Sequence, residues 1–142
     1  MTKQYLLDSN VLSEMRKGRM ADKRVQEWVG NVPKSNFFTS VICLMEIRLG
    51  VLKAMRNDPA FGAVLLDWYE NRLKPSMSGR ILAVDPTVAE TCATLHMQRS
   101  LPFRDSLIAA SAKAQTLTVV TRNTRDFANL GIEVLNPWDE EA

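Results

Sequence analysis

Five short apolar runs are spread along the chain, and helical patterning fills the stretches between them. The runs are Tyr5 to Leu7, Phe37 to Thr39, Ile81 to Val84, Leu117 to Thr121 and Glu133 to Leu135. Each reads as a strand, and strands that alternate with helices pair in parallel, with helices on both faces of the sheet. The pattern predicts an α/β fold with a central, mainly parallel sheet of four to five strands flanked by helices. The length of 142 residues is close to the usual size of one domain, so residues 1–142 are expected to form a single unit. No repeat, linker or low-complexity segment interrupts the alternation.

The punctuation between strands is equally regular. Val11, Leu12 and Met15 make a first helical face, with Gly18 as its stop. A second helix starts near Asp22 and carries Val25, Trp28 and Val29. Ser40 is a good N-cap for a helix from Val41 to about Met55, and Asn57-Asp58-Pro59 breaks the chain before Phe61, Val64, Leu65 and Trp68. Pro75 to Gly79 reads as a loop. Asp85-Pro86 opens a helix that ends near Ser100, and another starts at Asp105 with Ile108, Ala109 and Ala112 on its buried row. Thr124 to Leu130 reads as a short helix closed by Gly131, and Asp139, Glu140 and Glu141 as a solvated tail.

Composition excludes several classes. Hydrophobic residues make up 46% and charged residues 24%, an ordinary globular balance. No apolar run approaches the roughly 20 residues of a membrane span. The N-terminus enters the first strand directly, so a cytoplasmic protein without a signal peptide is expected. Cys43 and Cys92 lie in apolar helical patterns and read as reduced core residues.

Four acids stand out. Asp8 ends the first strand, where ligands of parallel sheets bind, although Asp8-Ser9-Asn10 would also cap a helix or form an Asx turn. Glu46 falls between Ile42 and Leu49 on an apolar stripe. It either needs a cation there or sits at the stripe's edge and reaches water, Arg48 or Lys53. Asp105 opens a helix as a cap or as a ligand, and its alanine neighbours leave room for a close approach. Asp126 falls in a first helical turn after the Leu117 to Thr121 strand, with Thr121 and Asn123 placed to hold an acid or a water. Asp85, which precedes Pro86, reads as a plain cap. Oxygen ligands without a Cys or His cluster favour Mg²⁺ or Mn²⁺. His96, the sole histidine, reads as a helix residue and not as a general base. The net charge is +2, and +6 once the four acids are set aside, a balance that suits a polyanionic ligand.

The segments LLDSNVLSE at 6–14, MEIRLG at 45–50, RDSLIAASA at 104–112 and VVTRNTRDF at 119–127 together resemble PIN-domain ribonucleases, specifically the VapC-like toxins of bacterial toxin–antitoxin pairs. GRILAVD at 79–85 and NPW at 136–138 resemble the FitB-type subgroup. The resemblance implies that Asp8, Glu46 and Asp105 bind metal, with Asp126 as the fourth acid because Asn stands at 123. Ser9 stands where family members commonly carry Thr, and Ser9, Asn10, Thr121 and Asn123 would be supporting polar residues. It implies hydrolysis of RNA phosphodiesters by a water that Mg²⁺ or Mn²⁺ activates, with Arg104, Arg122 and Arg125 either positioning phosphates or lying solvated. It also implies a cognate VapB-like antitoxin, a homodimer and a larger toxin–antitoxin assembly. An antitoxin arginine would fit among the acids. Val11, Leu12, Met15, Val25, Trp28 and Val29 are either core or a groove for an antitoxin helix. The rival readings are a PIN-like nuclease acting on DNA and a non-catalytic PIN-like binding module. A dehalogenase-like phosphatase needs a second Asp at the position of Asn10, which disfavours it.

Overall fold

Strands β1 (Tyr5–Leu7), β2 (Phe37–Ser40), β3 (Ile81–Leu82), β4 (Thr118–Val120) and β5 (Val134–Leu135) form one sheet in the order β3-β2-β1-β4-β5. All four pairings are parallel, with Tyr5 opposite both Phe37 and Thr118, and Leu7 opposite Val120. This arrangement is seen in a computed structural model that describes residues 2–139; Glu140 and Glu141 of the expected tail lie outside it.

Strand order explains where a site can form. The chain adds β2 and β3 on one side of β1, then returns to add β4 and β5 on the other. The direction of winding reverses between β1 and β4, which opens a crevice beyond their carboxyl ends. Alternate residues of the central strands enter opposite cores. Leu6 and Val119 pack with Val88, Leu95, Ile108 and Ala109, and Leu7 and Val120 pack with Val11, Leu12, Ile47 and Val51.

Helices α1 (Ser9–Arg16), α2 (Lys23–Gly30) and α3 (Val41–Asn57) contribute to the second core, while α6 (Pro86–Gln98) and α7 (Phe103–Gln115) cover the first. Caps fall largely where the sequence places them. Asp22, Ser40, Asp58 and Asp85 each accept a backbone N–H of the helix that follows. After α4 (Pro59–Trp68) the chain stays helical through a π turn at Tyr69–Leu73 and a short α5 (Lys74–Ser76), where a loop from Pro75 is expected. Pro75 is the second residue of α5, inside this continuous helical stretch, and the helix ends one residue later at Ser76.

Two further expectations are corrected, and one open alternative is decided. α7 begins at Phe103, not at Asp105, because Pro102 takes the extended cap position. Residues 124–127 form a 3-10 turn shorter than the helix expected there. Val11, Leu12, Val25 and Trp28 are buried, with Met15 and Val29 packed against them, so these six residues are core and not a groove. Among the described residues, no helix is long and apolar enough to cross a membrane.

α3 and α4 meet at Gly62, where an added Cβ would lie 2.5 Å from the Met55 Cα. In an open helix interior, Gly→Ala stabilises by about 1 kcal/mol. Here the sign should reverse, with Gly62→Ala destabilising by about 1–3 kcal/mol. A denaturant midpoint at or above that of the wild type would show that the two helices can part at no cost.

Candidate metal centre

Asp8 follows β1 and is fully buried. A buried carboxylate needs hydrogen-bond partners to replace its hydration. Its Oδ1 accepts the Ser9 N–H at 2.8 Å, and its Oδ2 accepts the Thr121 hydroxyl at 2.8 Å. Thr121 directly follows β4, so these two strand ends are tied together at the crevice. Asn10 completes the tie. Its Nδ2 donates to the Thr121 hydroxyl oxygen, and its Oδ1 accepts the Arg122 N–H, each at 3.2 Å. The Asn123 N–H also donates to the Thr121 oxygen, at 3.0 Å. Asp8 therefore acts as the Asx cap of α1 and also presents its carboxylate to the crevice.

Glu46 arrives on α3. The buried row of that helix is Cys43, Ile47 and Val51, whereas Leu49 is half exposed, so the stripe expected through Ile42 and Leu49 is rotated. Glu46 stands beside the true buried row and turns inward. Its Oε1 accepts the Ser9 hydroxyl at 3.2 Å. Arg48 pairs with Glu70 and not with Glu46.

Asp105 lies in the first turn of α7 and is buried. With Pro102 in the cap position, its side chain is free of capping and faces the other acids. Burial pushes the Asp105 carboxyl above its ordinary range; Arg104 opposes that, and the charges of Asp126 and Asp8 add to it. Asp126 joins the group through this field, from a half-buried place in the 3-10 turn.

One guanidinium binds three of the acids. Arg104 donates from Nε to Glu46, from Nη1 to Asp105 and from Nη2 to Asp8, the last at 3.2 Å. Burial alone would lower the Arg104 pKa. The Glu46 bond and the charges of Asp8, Glu46 and Asp105 outweigh burial and hold it above the ordinary value. The sequence reading leaves Arg104 either positioning phosphates or solvated; the structure turns it toward the acids.

Ligand atoms of Asp8, Cys43 and Glu46 lie within 4.8 Å of one another. Cys43 is the partner that sequence reasoning assigns to the core alone. Its thiol points at Asp8 Oδ1 from 3.8 Å, and burial followed by the Asp8 charge pushes its pKa up to about 12. Without a metal it is a protonated donor to Asp8. The available signal was its place one turn before Glu46. His96 stacks on Phe103 with ring centroids 4.6 Å apart, and its Nδ1 lies 3.5 Å from the Ser106 hydroxyl. The Arg122 guanidinium lies over the Trp138 ring at 5.0 Å, and Arg125 is exposed. Beside the acids, Ser13, Arg16, Gly50, Leu65 and Trp68 help to line a groove of about 490 Å³.

Comparison with known proteins identifies the family. The family described as PIN domain matches residues 5–133. Toxin FitB of Neisseria gonorrhoeae is 33% identical over 140 residues, covering 95% of this chain and 99% of that protein. VapC ribonuclease Y4jK of Sinorhizobium fredii is 32% identical over 143 residues, covering 94% and 97%. A solved structure of FitAB bound to an IR36 DNA fragment matches with a TM-score of 0.86 and 32% identity, covering 98% of this chain and 99% of that one.

Thr121→Val keeps the side-chain shape and removes the hydroxyl on which Asp8, Asn10 and Asn123 converge. Loss of a hydrogen bond to a buried charged group should cost about 1.5–3 kcal/mol of metal-free stability. Urea unfolding checks this, and an unchanged midpoint would mean that water replaces the hydroxyl.

Proposed function

The chain belongs to the PIN-domain family and, within it, to the group of FitB- and VapC-type toxins, and we propose that it is a metal-dependent endoribonuclease toxin held in check by a cognate antitoxin. One observation carries the reading. Asp8, Glu46 and Asp105 come from separate parts of the chain and converge on one cationic group beyond the carboxyl ends of the strands.

The donor set fits a hard divalent cation. The carboxylate oxygens of Asp8, Glu46 and Asp105 would hold Mg²⁺ or Mn²⁺, with Asp126 as the fourth acid. The Arg104 guanidinium already stands in for positive charge among the first three. When bound, such a cation polarises a phosphoryl oxygen and lowers the pKa of a water at neutral pH. The remaining work falls to this chain's residues. Thr121, the Ser9 N–H and Asn10 hold Asp8 in place, and the Ser9 hydroxyl orients Glu46. Asn123 braces Thr121. Arg104 in the groove, and Arg122 and Arg125 beside Asp126, would position phosphates. No side-chain nucleophile is required: the Cys43 thiol is buried and protonated, and His96 is engaged with Phe103 and Ser106.

The partners in this reading are an RNA substrate, a VapB-like antitoxin and a second copy of the chain, with a larger toxin–antitoxin assembly as its extension and the cytoplasm as its place. The names of the relatives support the toxin and ribonuclease parts. An exposed row on α3 supports contact with another protein: Met45, Leu49 and Leu52 are 58%, 51% and 48% exposed.

Purified protein, free of antitoxin, should cleave structured RNA with Mg²⁺ or Mn²⁺ and stop with a chelator, while DNA of the same sequence stays intact. Equal cleavage with and without chelator would contradict the mechanism, and cleavage of the DNA alone would change the substrate. Glu46→Gln should keep the fold and lower the rate at least about a hundredfold, more than loss of an outer hydrogen-bond partner costs. A wild-type rate would reduce Glu46 to a helix-edge residue.

A further inference from the structure

We propose that Arg104 is a tethered counter-cation that a divalent metal must displace, so that loading the site exchanges one cation for another within the same acids. The inference rests on the reading that these acids bind Mg²⁺ or Mn²⁺.

The geometry is one of shared ligands. Each nitrogen of the guanidinium takes a different carboxylate: Nε goes to Glu46, Nη1 to Asp105 and Nη2 to Asp8. The oxygens involved are Glu46 Oε2, Asp105 Oδ1 and Asp8 Oδ1. A hard cation needs the same lone pairs. It would also sit within a few ångströms of a fixed positive charge, in a partly buried site where screening is weak. Arg104 and the metal therefore compete for one place.

Neutral donors cannot stabilise the empty set of acids alone. Asp8 is fully buried, and the hydrogen bonds it accepts from Thr121 and Ser9 bring no charge. Among the described residues, Asp8, Glu46 and Asp105 each form their ion pair with Arg104. Arg104 thus offsets the repulsion that would otherwise open the metal-free site.

The side chain also has somewhere to go. Arg104 lies in the first turn of α7, its side chain is 29% exposed, and it lines the groove together with Arg16 and Asn123. Rotation about its own torsions would carry the guanidinium out of the acids toward that groove. The affinity measured for metal is then the intrinsic affinity reduced by the fraction of molecules in which Arg104 has left.

Two measurements test the exchange. In wild-type protein, the Arg104 Nε–H resonance is followed in ¹H–¹⁵N spectra during Mg²⁺ titration, with Arg104→Lys identifying the signal. It should leave its hydrogen-bonded position as Mg²⁺ saturates. Mn²⁺ affinity, read from the free-ion electron paramagnetic resonance signal, should be roughly tenfold tighter in Arg104→Gln, as expected where the arginine fills the site about nine-tenths of the time. Arg104→Lys keeps the charge and should stay nearer the wild type. A resonance that does not move while Mn²⁺ binds wild type and Arg104→Gln equally, or binds the variant more weakly, overturns the exchange and leaves the metal reading intact. Absence of Mn²⁺ binding in wild type and in Arg104→Gln overturns both. If Arg104→Gln does not fold, the wild-type titration decides alone.

Discussion

The buried carboxylate of Asp8 is the constraint around which the site is built. A charge with no exposure to water is tolerated only where hydrogen bonds and an opposite charge replace its hydration. The backbone of Ser9 and the hydroxyl of Thr121 supply the first, and Arg104 supplies the second. Satisfying Asp8 therefore ties the end of β1 to the end of β4 and to the start of α7. The parallel sheet and its crevice create the position, and Asp8 determines what must surround it.

The other acids follow from how their helices pack. α3 buries Cys43, Ile47 and Val51 as a row, which leaves Glu46 beside that row and facing the crevice. α7 can lie deep because Ala109, Ala110 and Ala112 present little bulk, so its first turn brings Asp105 toward Asp8. Burial and like charge then raise the pKa of Asp105, and that electrostatic tension is relieved when a cation is present. The same concentration of charge that a metal would use already holds a guanidinium. The acids are thus organised around a cation already, which is the preplaced charge that the proposed hydrolytic chemistry would need.

Much of this was legible in the sequence. Apolar runs alternating with helical segments predicted the parallel sheet, and Asp22, Ser40, Asp58 and Asp85 marked helix starts because side-chain capping is a local interaction. Asp8 was legible as an acid at a strand end. The orientation of Glu46 was less so, since the stripe through Ile42 and Leu49 competes with the one through Cys43 and Ile47. Packing against the sheet and α1, not periodicity, decided between them. The start of α7 was misplaced by two residues because Asp105 looks like a cap, while Pro102 held that position. Arg104 was hardest to place. A basic residue next to an acid looks solvated in a linear sequence, and only the fold brings Asp8 and Glu46, from 96 and 58 residues away, to the same side chain.

The central claim is that these acids hold a divalent cation at the carboxyl ends of β1 and β4. Crystals of the protein soaked in Mn²⁺, with anomalous diffraction recorded at the manganese edge, test it most directly. The account predicts a difference peak roughly 2.1 Å from carboxylate oxygens of Asp8 and a second acid of the set, close to the octahedral ligand distance of a small hard cation. The Arg104 guanidinium should be withdrawn from that place. A well-ordered site with no peak at millimolar Mn²⁺ and Arg104 still bound to all three acids would contradict it.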